Sequence, residues 1–112
     1  MWLFKKPTPD DLKNNAYLIY SEWGPDLRIP REERLAKQFP HIPEDLRQAW
    51  IEEFKRIDRE IWEVAEEEGP KVHTSGSCRK RLKKAFPFMN RAALNRACFL
   101  AEYYAFHEGY DR

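Results

Sequence analysis

Between residues 77 and 86 the chain reads SCRKRLKKAF, and Arg79, Lys80, Arg81, Lys83 and Lys84 put five cations into six positions. Lys71, Arg91 and Arg96 extend the run, so residues 69–101 carry eight bases and no acid. Lysine and arginine in that density suit a polyanion, because phosphate contacts supply most non-specific nucleic-acid affinity. An acidic protein is the other partner such a face would take. The competing account is internal. Residues 44–68 hold ten acids against four bases and end in Glu66, Glu67 and Glu68, at a helix C-terminus where acids oppose the macrodipole. A basic helix following within about ten residues can fold back on them, and this pairing is the preferred expectation. Two helices joined by PFMN have the layout of a helix-turn-helix, but base readout belongs to the second helix, and here that helix is the apolar one.

Ser75, Gly76 and Ser77 precede the basic helix and, with its free N-terminal amides, form a candidate anion loop. The spacing is not that of a P-loop, and Ser75 or Ser77 acting as a plain helix cap is the preferred reading. Cys78 sits in the first turn beside three cations, which favours a thiolate and marks it as a candidate reactive thiol. Only His73 is near enough in sequence to serve it as a base, so no catalytic residue is assigned. Cys98 falls in an apolar run and is expected in the core. His41, His73 and His107 are far apart, there is no C-x-x-C or H-E-x-x-H, and Glu102 and His107 are five apart. No metal site and no cofactor are expected. The acids of residues 52–63 fit salt-bridge spacings and show no hydrolytic carboxylate pair.

The elements that must position these groups are helical. Thr8 is a cap candidate for a helix over about 9–23, with Pro9 at its first position, Asp10 and Asp11 in its first turn, and Gly24-Pro25 at its end. A short helix is expected over about 31–39, stopped by Pro40. The long central helix runs over about 43–68, with Leu46, Trp50, Phe54, Ile57, Ile61 and Val64 in one stripe and Ile51 and Trp62 on a flank. GPKVHTSGS reads as a loop, 78–86 as the basic helix with Leu82, Ala85 and Phe86 on its apolar side, and 90–107 as a C-terminal helix capped by Asn90. The last helix is apolar nearly all round and is therefore expected to be buried all round, at the centre of the bundle or in a subunit interface.

The 112 residues include 16 aromatics, enough for a core without staples. The expected fold is all-α, a single-domain bundle of four to five helices. No stretch has the length of a membrane span and the start lacks the pattern of a secretory signal, so a soluble, cytoplasmic protein is expected. The apolar surface exceeds what one bundle needs. Ile51, Trp62, Tyr103, Tyr104 and Phe106 are the candidate interface of a homo-oligomer, a dimer in its simplest form. The functional expectation is a non-enzymatic interaction or assembly module that self-associates. The alternative is non-specific nucleic-acid binding through the basic segment 71–96.

Overall fold

Thr8 and Asp11 begin the first helix with a reciprocal pair of hydrogen bonds. The Asp11 amide donates to Thr8 Oγ1 (3.1 Å) and the Thr8 amide donates to Asp11 Oδ2 (2.9 Å). The computed structural model describes residues 8–22 and 29–107, apart from the side chains of His73, Ser75 and His107. Its helices are α1 (Pro9–Tyr20), α2 (Arg31–Gln38), α3 (Glu44–Glu68), α4 (Val72–Ser75), α5 (Ser77–Ala85) and α6 (Arg91–His107), with a 3-10 turn at Gly69–Lys71. Among the described residues there is no strand, and five of the helices have eight residues or more. The all-α bundle expected from the sequence is the fold observed. α1 ends at Tyr20 with Ser21 as its C-cap, about three residues short of the expected end at Trp23; Gly24-Pro25 lies outside the described residues.

The stripe of α3 forms the spine of the core: Trp50, Phe54, Ile57, Ile61 and Val64 are all buried. Tyr17 and Tyr20 of α1 close on Phe54, with ring centroids 5.4 and 5.2 Å away. Two expectations for α3 need correction. Leu46, placed in the stripe, is 43% exposed; its neighbour Arg47 is the residue of this turn that reaches the preceding segment, donating to the Phe39 and Ile42 carbonyls. Ile51, placed on a flank and among the interface candidates, is 1% exposed and belongs to the core. Helix α2 packs against that flank of α3 and covers it. Trp62 shares the flank three turns on, where Tyr104 of α6 stacks on it at 4.1 Å and 5°.

The segment expected to be a loop is instead a 3-10 turn followed by α4. Gly69 (φ 54°) and Gly76 (φ 72°) supply the positive-φ joints at either side, a conformation that other residues rarely adopt. Val72 between them is buried and anchors the segment.

Helix α6 packs on α3, α1 and α5, and four alanines spaced four apart along it, Ala93, Ala97, Ala101 and Ala105, are fully buried. The expectation that α6 is buried all round is overturned. Phe99 and Phe106, on its opposite side, are 55% and 50% exposed. Small residues permit close approach to a neighbour on one side only.

Buried polar groups fasten the ends of α1. Asn14 donates to the Phe88 carbonyl and accepts from the Asn90 amide, both at 2.8 Å, tying α1 to the turn before α6. At the other end Arg34 donates to the Ile19 and Glu22 carbonyls, and Arg96 donates to the Leu18 carbonyl and to Ser21 Oγ. α1 has no base in its last turn, and these guanidiniums serve the carbonyls that a helix end leaves open.

Tyr20 donates to Asp58 at 2.9 Å, and Arg31 lies 3.5 Å from the same carboxylate oxygen. Burial, then the charge of Asp58, pushes the Tyr20 phenol up to about 12. Burial raises the Asp58 carboxyl, and Tyr20 and Arg31 only partly oppose it. A carboxyl raised in the folded state binds its proton more tightly there than in the unfolded chain. Its contribution to stability is present in full below the ordinary carboxylate value near 4 and is lost as pH rises through the folded value. Asp58→Asn removes this titration and keeps an acceptor for Tyr20. Urea melts at a series of pH values should show the variant gaining on the wild type from about pH 4 towards neutrality. A pH-independent difference would contradict the assignment.

Candidate functional site

The cations of α5 divide by direction. Helix α5 starts at Gly76 with no side-chain cap, and Cys78 and Leu82, four apart, turn into the core. Arg81 faces α3, where it bridges Glu60, Glu63 and Glu67, one helical turn apart from each other. Its Nε donates to Glu60 at 2.9 Å, and Nη1 donates to Glu67. Burial works against the charge of Arg81, but the hydrogen bonds and charges of Glu60 and Glu67 more than reverse that, and its pKa is raised. Among the described residues, the internal pairing expected between the basic helix and the acids of α3 is thus made by Arg81. Its glutamates are mostly earlier in α3 than the Glu66–Glu68 end.

The other cations have other work. Lys83 donates to the Pro87 and Met89 carbonyls at 2.9 and 2.8 Å and closes the turn into α6. Arg79 donates to Asn95 of α6. Arg96 is spent on the end of α1. Lys71, Lys80, Lys84 and Arg91 are exposed, and their side chains make no hydrogen bond or ion pair with the described residues. Arg79, Lys80, Lys83 and Lys84 rim an open groove of about 510 Å³ with Leu94 on its floor. The eight candidates therefore do not form one patch. Four of them surround this groove, and Lys71, Arg81, Arg91 and Arg96 do not line it.

In the candidate anion loop, Ser77 Oγ donates to Glu68, so a carboxylate already occupies that hydroxyl. Gly76 holds the cap position, and the side chain of Ser75 lies outside the described residues. The expectation that Ser77 caps α5 is corrected: it is the first helical residue.

Cys78 is also corrected. It is 2% exposed, because its spacing from Leu82 puts it on the apolar side of α5. Its thiol hydrogen-bonds to Cys98 of α6, and that bond, burial and the charges of Cys98 and Glu68 push its pKa up, with Arg81 opposing. Cys98, expected in the core, is only half-buried. The hydrogen bond from Cys78 lowers its pKa, burial opposes, and Arg79 helps. The periodicity that placed Leu82 inside was the signal for Cys78, and the cations beside it in sequence masked that signal.

The third feature is the outer side of α6. At 100° per residue, Ala92, Asn95, Phe99 and Phe106 share one face, with Tyr103 at its margin. Trp62 and Tyr104 stack on each other, and Tyr103 meets Tyr104 edge-on at 6.0 Å. Of the interface candidates, Phe106 lies on the exposed face, Tyr103 borders it, Trp62 and Tyr104 are half-buried, and Ile51 is internal. Phe99, the most exposed large apolar residue described, was not among them.

Among the described residues no group of three or more His, Cys, Asp and Glu is placed to hold a metal ion. No helix among them is long and apolar enough to cross a membrane. No protein-family model matches the chain, and no curated protein or solved structure is significantly similar to it.

The division of labour in α5 has a measurable consequence. Arg81→Glu should lower the unfolding free energy by about 1–2 kcal/mol, because it sets a fourth acid against three. Lys84→Glu should change it by less than about 0.5 kcal/mol. Equal effects in chemical denaturation would refute the division.

Proposed function

We propose that the protein is a non-enzymatic interaction module that self-associates through the outer face of α6. The observation that carries this reading is the pair Phe99 and Phe106, seven residues apart, each at least half exposed. With Ala92, Asn95 and Glu102 between and before them, they follow the three-and-four spacing of a helix that packs on another helix. The stripe carries a single charge, at Glu102. A two-fold axis beside α6 would bring the same stripe of a second copy against it, the commonest way for a chain to cover such a surface. The expected result is a dimer in sedimentation equilibrium at tens to hundreds of micromolar. Phe99→Glu with Phe106→Glu should yield a monomer of unchanged helical circular dichroism. A wild-type monomer at several hundred micromolar would contradict the reading.

The groove on α5 supports a second reading, polyanion binding by Arg79, Lys80, Lys83 and Lys84. Lys80 and Lys84 have no internal task among the described residues, and Arg79 and Lys83 are held in place by theirs. Four phosphate contacts imply an affinity about 100-fold weaker at 200 mM than at 50 mM salt. Fluorescence anisotropy with labelled generic duplex and single strand measures this directly. Lys80→Glu with Lys84→Glu should abolish the low-salt binding, and an unaffected double variant would exclude the groove.

A further inference from the structure

The groove between α5 and the start of α6 has a rim of charge over a lining of carbon. Arg79, Lys80, Lys83 and Lys84 wall it, and Leu94 lies at its base. The surface they turn into it is almost wholly apolar, made of the methylene stems of long cationic side chains and of the leucine. The four cations stand in two rows. Arg79 and Lys83, four apart, are already fixed, Arg79 to Asn95 of α6 and Lys83 to the Pro87 and Met89 carbonyls. Lys80 and Lys84, also four apart, are exposed, and their side chains have no partner among the described residues. Side chains four apart on a helix lie about 5–6 Å from each other, so each row repeats at one helical turn.

We propose, building on the reading of this groove as an anion site, that it docks a short helical segment of another protein, in which a stripe of leucine or phenylalanine is bordered by glutamate or aspartate. Charge complementarity assigns the border. Acids three or four apart on the partner helix match the spacing of both cationic rows. The lining assigns the stripe. A nucleic-acid backbone is charged along its whole edge and leaves an apolar surface uncovered. A stacked base calls for an aromatic platform, which Leu94 is not. An apolar side chain of a partner helix removes water from the floor and walls together. Leu94 is itself only 6% exposed, so the lysine and arginine stems supply most of the area covered. Shape agrees. The volume of about 510 Å³ falls within the roughly 300–1,000 Å³ of ligand sites, but the groove is open. That suits a segment laid along it better than a small molecule enclosed by it. The two fixed cations lose little freedom on binding, and the two free lysines can follow the acids of the partner.

Three fluorescein-labelled peptides of equal length and net charge, titrated into the full chain by fluorescence anisotropy, test this. The first is a helix former with two leucines four apart bordered by glutamates. The second has alanine in place of both leucines. The third has the composition of the first, with the leucines on opposite helix faces. The first should bind about tenfold more tightly than either of the others. All affinities should fall between about 50 and 200 mM salt, while the advantage of the first persists, because salt screens charge and leaves apolar burial in place. Lys80→Glu with Lys84→Glu, checked for folding by circular dichroism, should abolish binding of all three. Equal binding of the three peptides would overturn the apolar half of the partner and leave the anion site standing. Generic single strand or duplex that binds where no peptide does would overturn the peptide partner in favour of nucleic acid. A leucine preference that survives the double variant would move the binding off this groove, to a surface such as the Phe99–Phe106 face. Failure of peptides and nucleic acids alike would remove the anion site and the proposal with it.

Discussion

Four alanines spaced four apart govern how α6 sits in the bundle. Ala93, Ala97, Ala101 and Ala105 have no surface left to solvent. A ridge this low lets the helix axes approach closely, and the distance between packed helices follows the side chains at their contact. Leu94 and Leu100 are buried on the same side, so the inward arc of α6 combines a row of alanines with two leucines. The same choice fixes what lies outside. Residues that do not fit the close contact are turned to the flanks, where Tyr104 stacks on Trp62, or to the outer face, where Phe99 and Phe106 remain. The exposed aromatic stripe and the tight internal contact are two sides of one helix.

Charge is used locally in this protein. α1 and α3 both end without a base in the last turn. At α1 the open carbonyls take donors from Arg34 and Arg96, which reach them from α2 and α6. At α3 the problem is an excess of acid, and Arg81 answers three glutamates from α5. Each guanidinium joins two different elements, so these contacts act as registers for the bundle as well as charge compensation. Fork-shaped donors suit that work better than a lysine point charge. The lysines in the same run of α5 are left for the turn and for the surface.

Most of the architecture was legible in the residues. The cap at Thr8, the stripe of α3 and the prolines and glycines between helices place the elements to within a few positions, because they act locally. What was not legible depends on neighbours. Leu46 and Ile51 exchange roles: Ile51 is buried where α2 packs on α3, and Leu46 is left 43% exposed. The apolar character of α6 says that it is buried, but not which of its sides lies inward, which its neighbours decide. Asn14, absent from every motif considered, holds α1 to the α6 turn through partners more than seventy residues away. The cationic run reads as one face in the sequence, but three of its arginines and one lysine are engaged with the protein itself. Cys78 was misjudged by charge in sequence, where helical phase was the better guide.

The central claim is that α6 keeps its aromatic face outward in the single chain and covers it on assembly. 4-Fluorophenylalanine placed at position 99 alone reports both states by fluorine NMR. The account predicts a solvent isotope shift between H2O and D2O in dilute protein, diminishing as concentration rises and a second resonance grows in. A fluorine with no solvent isotope shift in dilute protein would contradict the outward placement. A single solvated resonance at every concentration would contradict the assembly.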